Sequence, residues 1–477
     1  MFLLKRFKIE HKGNILYDCE FNLQDSIDRQ NIFTSIIVGE NGVGKSYLLK
    51  LIADFFSYAS TESKVKFKYD IVKLIYFMNN DSYEINKEFN KLLYLKNDIL
   101  TDLSYIIFPN KILALSFMVN DKFTYSNQLD KKYLYLGVRA ISNATYTSSI
   151  QKRLVNSILN SINDNLRISS MAKTLDAIDL KQKVDIFYKL KRKTLFTSKI
   201  NYNILSKKLN KIKRNKEFIA HNELSEIESS LFVILDFIQE LKYSEHNAKD
   251  GIIFELLFDK KNNISLLLNV KLLGYMEKLD LLENPEVKFT KNNLYDFEYT
   301  SSGEKHFIHT MINLVANIEE DSLILIDEPE LSLHPRWQMK YIKTLKDLLK
   351  YFKSAHCILA SHSHFMVSDI MPECSSLITL LKEYDASGKE FRKSELIPYS
   401  TYAWSAENIL YKVFNLRTSR NYYFEQDLAK LLQLIASNSD NIQQIRELHD
   451  KLSHFIFDGN DPINKILFQA KQYLEQK

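Results

Sequence analysis

Ser35-Ile36-Ile37-Val38-Gly39-Glu40-Asn41-Gly42-Val43-Gly44-Lys45-Ser46 is the stretch on which the fold turns. Its first four residues read as a short buried strand. The strand runs straight into a complete G-x-x-x-x-G-K-S. Leu48, Leu49, Leu51, Ile52, Phe55 and Phe56 then keep a helical spacing, so strand, loop and helix stand in the order a phosphate-binding loop requires. The 477-residue chain has only 10 glycines, yet Gly39, Gly42 and Gly44 fall within six positions. Such clustering marks a backbone that must turn in ways other residues resist. Successive N–H groups facing inward, and the positive end of the helix dipole, form a cradle for phosphates. Lys45 is placed to reach the β- and γ-phosphates and Ser46 to ligate Mg²⁺. The motif implies ATP or GTP binding.

A second set of polar residues lies far downstream. Leu323-Ile324-Leu325-Ile326 is a continuous apolar strand ending in Asp327-Glu328-Pro329. Carboxylates delivered at the C-terminal end of a central parallel strand sit where α/β sheets place ligand chemistry. Asp327 is expected to hold Mg²⁺ through water, and Glu328 to polarise the attacking water. Upstream, Ser301-Ser302-Gly303-Glu304 opens a helix with apolar positions Phe307, Ile308, Met311, Ile312 and Val315. Alone this is an ordinary helix N-cap; beside a nucleotide, its hydroxyls and free donors suit a γ-phosphate. Downstream, Cys357-Ile358-Leu359-Ala360 ends in Ser361-His362-Ser363. A lone histidine is usually structural, but one at a strand end beside a nucleotide can sense the γ-phosphate and orient water.

Composition narrows the class. The length allows two to four domains, and 45% hydrophobic with 26% charged residues describes a globular protein. No apolar run approaches the roughly 18 residues of a membrane span, and Met1 to Arg6 is charged too early for a secretory signal. Cys19, Cys357 and Cys374 are isolated, which argues against a disulfide framework and fits a cytoplasmic location. Between Lys181 and Lys216 there are thirteen Lys or Arg against one acid, Asp185, a net of +12 in a chain of net charge +5.

Taken in order, Gly39–Ser46, Ser301–Glu304, Asp327–Pro329 and Ser361–Ser363 resemble the elements of ABC-type ATPase heads, with Ser301–Glu304 a variant of the ABC signature. The run Asp327-Glu328-Pro329-Glu330-Leu331-Ser332-Leu333-His334-Pro335 resembles the Walker B and D-loop of the RecF, SMC and OLD branch. The resemblance implies an α/β fold with a mixed central sheet, flanking helices and an antiparallel β subdomain. It also implies ATP as the nucleotide, Mg²⁺ as its cofactor, His362 as the switch histidine, and Leu331 to His334 at an interface between two heads. In that branch the signature of one head caps ATP on the P-loop of another, so a homodimer or higher oligomer is implied. Thr300 departs from the usual leucine of the signature, and Ser302 from a common glycine.

Lys45 and Ser302 are 257 positions apart, room for a large insertion. The expected layout is residues 1–130 and 287–400 for the head, 131–286 for a helical insertion and 401–477 for a helical C-terminal region. Spacing of Leu154, Ile158, Ile162 and Leu166 supports helices in the insertion. Its basic window reads either as a contact for nucleic-acid phosphates or as a solvated helix face. The OLD-type arrangement adds a Toprim nuclease that needs an Asp-x-Asp pair, and no two aspartates here are two positions apart. The combination resembles the stand-alone ATPases of bacterial antiphage systems of the Septu type and their retron-associated relatives. That resemblance implies a slow ATPase controlling a separate effector, a nuclease in Septu, with no membrane partner. A DNA-repair clamp of the RecF kind, without a toxic partner, is the alternative.

Overall fold

The computed structural model describes residues 1–477 except 23–31, 61–66, 117, 119, 126–131, 138–145, 192–199, 215–220, 249, 259–263, 291–293, 297–300, 353, 369, 371–372, 387, 399, 417–420, 438–440, 455–461 and 477. The chain divides into two compact units, Met1–Trp404 and Ser405–Lys477.

The larger unit is built on a 13-stranded mixed sheet. Six strands are parallel neighbours in the order Ser375–Tyr384, Phe33–Val38, His356–Ala360, Leu323–Asp327, Ile112–Ser116 and Tyr133–Tyr135. Every residue of Phe33–Val38, Leu323–Asp327, His356–Ala360 and Ile112–Ser116 is buried, as expected of parallel strands covered on both faces. Register then does the positioning. Asp327 pairs with Ala360 on one side and Ser116 on the other, and Ala360 pairs with Ile37. The P-loop, the carboxylates and the histidine loop therefore leave the sheet along one edge.

The rest of the sheet is largely antiparallel. Leu3–His11 pairs with Asn14–Glu20 and with Ile71–Met78, and Asp81–Glu88 and Lys91–Lys96 follow. Ile71–Met78 alternates buried and less buried positions, the mark of a sheet with one face on the core. That face packs on the P-loop helix Lys45–Ala59: Phe56 meets Phe2 and Tyr76 edge-on, and Tyr76 stacks on Tyr83. Aromatic pairs at these separations add specific geometry to area burial. His356 pins the layers together. Its Nδ1 accepts the Leu4 N–H at 3.0 Å and its Nε2 lies 2.8 Å from Ser35 Oγ, while complete burial lowers its pKa to about 3 and keeps it neutral.

The insertion holds the expected helices, among them Tyr146–Ser161, Asn165–Asp176, Tyr202–Arg214 and Leu231–Tyr243. It also contains a five-stranded antiparallel sheet that helical periodicity did not foretell, with Lys183–Lys189 at its centre between Gly251–Leu257 and Glu286–Thr290. The expected boundaries shift accordingly. Tyr133–Tyr135 belongs to the head sheet, and Glu286–Thr290 to the insertion sheet. The physical reason is that Lys183–Lys189 is short and its alternation is broken by three consecutive buried residues, so it does not stand out among helical periods. The second unit is helical, with Leu431, Ile445, Leu452, Ile463 and Ala470 at its core. Among the described residues, no helix is long and apolar enough to cross a membrane.

Candidate nucleotide site

The P-loop is shaped by its glycines. Gly44, at φ +100°, is the helix N-cap residue; a Cβ on it would lie 2.4 Å from the Tyr17 hydroxyl oxygen. That hydroxyl donates to the Gly44 carbonyl at 3.0 Å, and Arg392 Nε donates to the Val43 carbonyl at 3.2 Å. Tyr17 and Arg392 are register partners on adjacent strands, so the loop is gripped by two side chains from one place in the sheet. Glu40, Asn41 and Gly42 are exposed, Val43 is buried, and Gly39, Gly44 and Ser46 are partly buried.

Lys45 is buried and folds back on its own loop, donating to the carbonyls of Gly39 at 2.8 Å and Glu40 at 3.2 Å. Burial lowers its pKa to about 8, and the nearby carboxylates of Glu328, Glu330 and Asp327 counter the fall. His362 Nδ1 lies 3.3 Å from the Lys45 ammonium. An ammonium only donates, so Nδ1 is the acceptor and the ring proton sits on Nε2. That edge faces Glu328 Oε1 at 3.6 Å. Burial, then the charge of Lys45, lowers the His362 pKa, which favours the neutral ring. Lys45, His362 and Glu328, distant in sequence, are therefore one cluster.

Asp327 closes its strand, almost fully buried. Burial raises its pKa to about 7; the Ser46 hydroxyl opposes this, while Glu328, Asp121 and Glu330 add to it. Its Oδ1 is buried with no hydrogen-bond partner among the described residues. An orphaned carboxylate oxygen beside a serine hydroxyl is a pair of hard oxygen donors, the set that suits Mg²⁺ when phosphates supply further ligands. Asp327 and Ser46 could hold the ion, which when bound would neutralise charge on the phosphates. Glu328 leaves the strand at φ +49° and donates its N–H to the Ala360 carbonyl at 2.9 Å.

The signature residues are built as a surface. Ser301 and Ser302 are exposed at the start of the helix Ser302–Asn317. Ser301 Oγ accepts the Glu304 N–H at 3.2 Å, and Glu304 Oε2 accepts the Ser301 N–H at 3.0 Å, a reciprocal capping box. Ser302 is exposed and has no intrahelical acceptor at such a helix start, so its N–H is available to an anion, whereas Gly303 is buried. No hydrogen bond among the described residues joins Ser301–Glu304 to Gly39–Ser46. Thr300 lies outside the described residues. Of the expected interface run, Ser332 and His334 are exposed, but Leu333 is turned into the core.

Several residues in and around the cluster carry no motif signal. Asp121, in the loop after Ile112–Ser116, is buried, accepts the Phe123 N–H at 3.0 Å and the Tyr135 hydroxyl, and acts on Asp327 by its charge. Its place after a central strand is the one hint that sequence offers. Glu330, which stands in the Walker B and D-loop run, and Gln338, which does not, hold the histidine loop, and nothing in their spacing announces that role.

In the basic window, Lys183, Lys189, Lys191, Lys208 and Lys213 pair with Glu255, Glu283, Asp280, Asp280 and Glu228. Lys207, Lys211 and Arg214 remain exposed; Arg192, Lys193, Lys199 and Lys216 lie outside the described residues.

A profile of the AAA ATPase domain matches residues 14–367. The Septu protein PtuA of Bacillus thuringiensis is 30% identical over 198 residues, which cover 39% of this chain and 48% of that protein. The retron Vc95 probable ATPase of Vibrio cholerae is 21% identical over 418 residues, covering 80% and 75%. The chain thus spans about half the length of the Septu relative it matches. A solved SMC head domain from Thermotoga maritima is 10% identical, covering 83% of this chain and all of that one, with a TM-score of 0.35.

Proposed function

We propose, because this chain belongs to the AAA ATPase domain family, that it hydrolyses Mg²⁺–ATP within a head-to-head pair of copies and uses closure of that pair to control a separate effector, a nuclease, in antiphage defence. The observation that carries the reading is the cluster of Lys45, His362 and Glu328, joined at 3.3 and 3.6 Å. Glu328 would draw a proton from the attacking water. The neutral His362 ring would orient that water and sense the γ-phosphate, and the phosphates would compete for the Lys45 ammonium now held by loop carbonyls. Ser301 and Ser302, exposed at the start of their helix, suit the triphosphate of a second copy. The defence role follows the resemblance to Septu-type and retron-associated ATPases, and the two relatives so named support it.

The test is Glu328→Gln. The variant should bind ATP with parental affinity, hydrolyse it at least about a hundredfold more slowly, and accumulate as a paired species when its mass is measured with ATP. Unchanged turnover removes Glu328 from the role of base, and a mass unaffected by ATP removes closure.

A further inference from the structure

His362 reaches the cluster from a loop, Ser361 to Ser363, whose first residue donates its N–H to the Ile37 carbonyl at 3.0 Å and bonds the Glu330 side chain through its hydroxyl, and two further hydrogen bonds hold His362 and Ser363. Glu330 accepts the main-chain N–H of His362 on Oε1. One residue on, the Ser363 hydroxyl donates to Gln338 Oε1 at 2.5 Å. Gln338, in the helix Pro335–Leu349, also donates through Nε2 to the carbonyls of Leu333 at 2.8 Å and Glu330 at 3.4 Å. Both bonds therefore end on the segment Glu330–Leu333.

Glu330 is an expensive choice for this task. Burial raises its pKa, and its second oxygen, Oε2, is enclosed with no hydrogen-bond partner among the described residues. A carboxyl taken out of water and matched so sparsely destabilises the fold unless its placement does something else. Besides its own N–H, what it bonds is the loop itself, at the Ser361 hydroxyl and at the main-chain N–H of His362, the donor closest to the ring.

We propose that Glu330 and Gln338 are positioning residues for His362, fixing the main chain of its loop so that the imidazole stands between Lys45 and Glu328. The proposal rests on the hydrolytic reading of Glu328 and His362. Neither Glu330 nor Gln338 meets the reacting atoms. Their effect passes through the histidine, and misplacing a catalytic group by about 1 Å costs about a hundredfold in rate.

The experiment is ATP turnover and ATP affinity for the full chain carrying Glu330→Ala, Glu330→Gln, Gln338→Leu, His362→Ala and the pair Glu330→Ala with His362→Ala. Glu330→Ala should lower kcat between tenfold and about a hundredfold with ATP affinity intact, and Gln338→Leu should lower it less. Glu330→Gln should restore most of the rate, because an amide oxygen still accepts the N–H. The double variant should be no slower than His362→Ala alone, since both changes act through one ring. Three results each overturn the proposal: parental kcat in Glu330→Ala, a Glu330→Gln variant as slow as Glu330→Ala, or a double variant slower than His362→Ala by the full Glu330→Ala factor. The second of these would make Glu330 a base or a metal ligand. Retained ATP affinity in each variant shows that it has folded. Parental turnover in both Glu328→Gln and His362→Ala would instead sink the hydrolytic reading itself, whatever happens at Glu330.

Discussion

Gly303 lies so close to Ser332 that a Cβ added to it would stand 2.5 Å from the Ser332 carbonyl oxygen. One turn further along the same helix, His306 Nδ1 lies 2.7 Å from the Leu331 carbonyl. Ser332 itself adopts φ +62°, a backbone that serine seldom takes, so the segment has little freedom to retreat. The helix that presents Ser301 and Ser302 is thus packed directly on the segment that carries Glu330. If the two move as one piece, a ligand pressing on the exposed signature should be felt, through Glu330, at the loop of His362.

Gly303→Ala tests that coupling. The methyl group has to push the Ser332 carbonyl away, since backbone rather than a flexible side chain blocks it. ATP affinity at the P-loop should change less than about twofold, because Lys45 and Ser46 are untouched, while turnover should fall by about tenfold or more. Steady-state hydrolysis alongside equilibrium binding of a fluorescent ATP analogue separates the two. Parental turnover in this variant would show that the two elements are not coupled.

If Asp327 holds the Mg²⁺ of the nucleotide, binding should depend on pH. Its pKa stands at about 7, and a hard cation needs the carboxylate. Mg²⁺-dependent ATP affinity should therefore rise as pH climbs from 6 to 8, by up to about tenfold per unit below the pKa. The sign for the metal-free protein is opposite. A carboxyl whose folded pKa exceeds its unfolded value favours the fold most below the unfolded value of 3.8 and loses that contribution as pH rises through about 7. Calorimetric titration at several pH values, with and without Mg²⁺, checks both slopes. In Asp327→Asn the Mg²⁺-linked rise should vanish; its persistence would place the ion elsewhere.

The P-loop half of the candidate site is legible because its chemistry is local in sequence. Glycines at 39, 42 and 44, a lysine and a serine before an apolar helix all serve one loop, and Asp327 with Glu328 ends one strand. The holding residues were not legible, for a physical reason. Glu330 grips a main-chain N–H 32 positions away, and an N–H leaves no residue type to recognise at its own position. Gln338 joins three groups in the same silent way. The insertion sheet escaped because its strands are brief and the alternation in Lys183–Lys189 is broken by three consecutive buried residues. Charge counting leaves out which charges are paired. The basic window is dense in sequence, but folding brings Asp280, Glu228, Glu255 and Glu283 to five of its lysines.

That neutralisation sharpens the last expectation, which concerns nucleic acid. Lys207, Lys211 and Arg214 follow one another at four and three positions on the helix Tyr202–Arg214, so they share a face. The opposite side is anchored by buried Leu205 and Leu209. Those three cations have no acidic partner among the described residues, whereas Lys208 and Lys213 are tied to Asp280 and Glu228. If the insertion binds a polyanion, this face should do so. Neutralising Lys207, Lys211 and Arg214 together should weaken binding to duplex DNA. It should also flatten the dependence of log affinity on log salt by about 0.9 for each phosphate no longer neutralised, or about 2.7 in all. Neutralising Lys183 and Lys189, already paired, should change the slope far less. Fluorescence anisotropy of a labelled duplex across a salt series measures both. An unchanged affinity and slope in the triple variant would leave the helix as a solvated face, with its charges serving solubility alone.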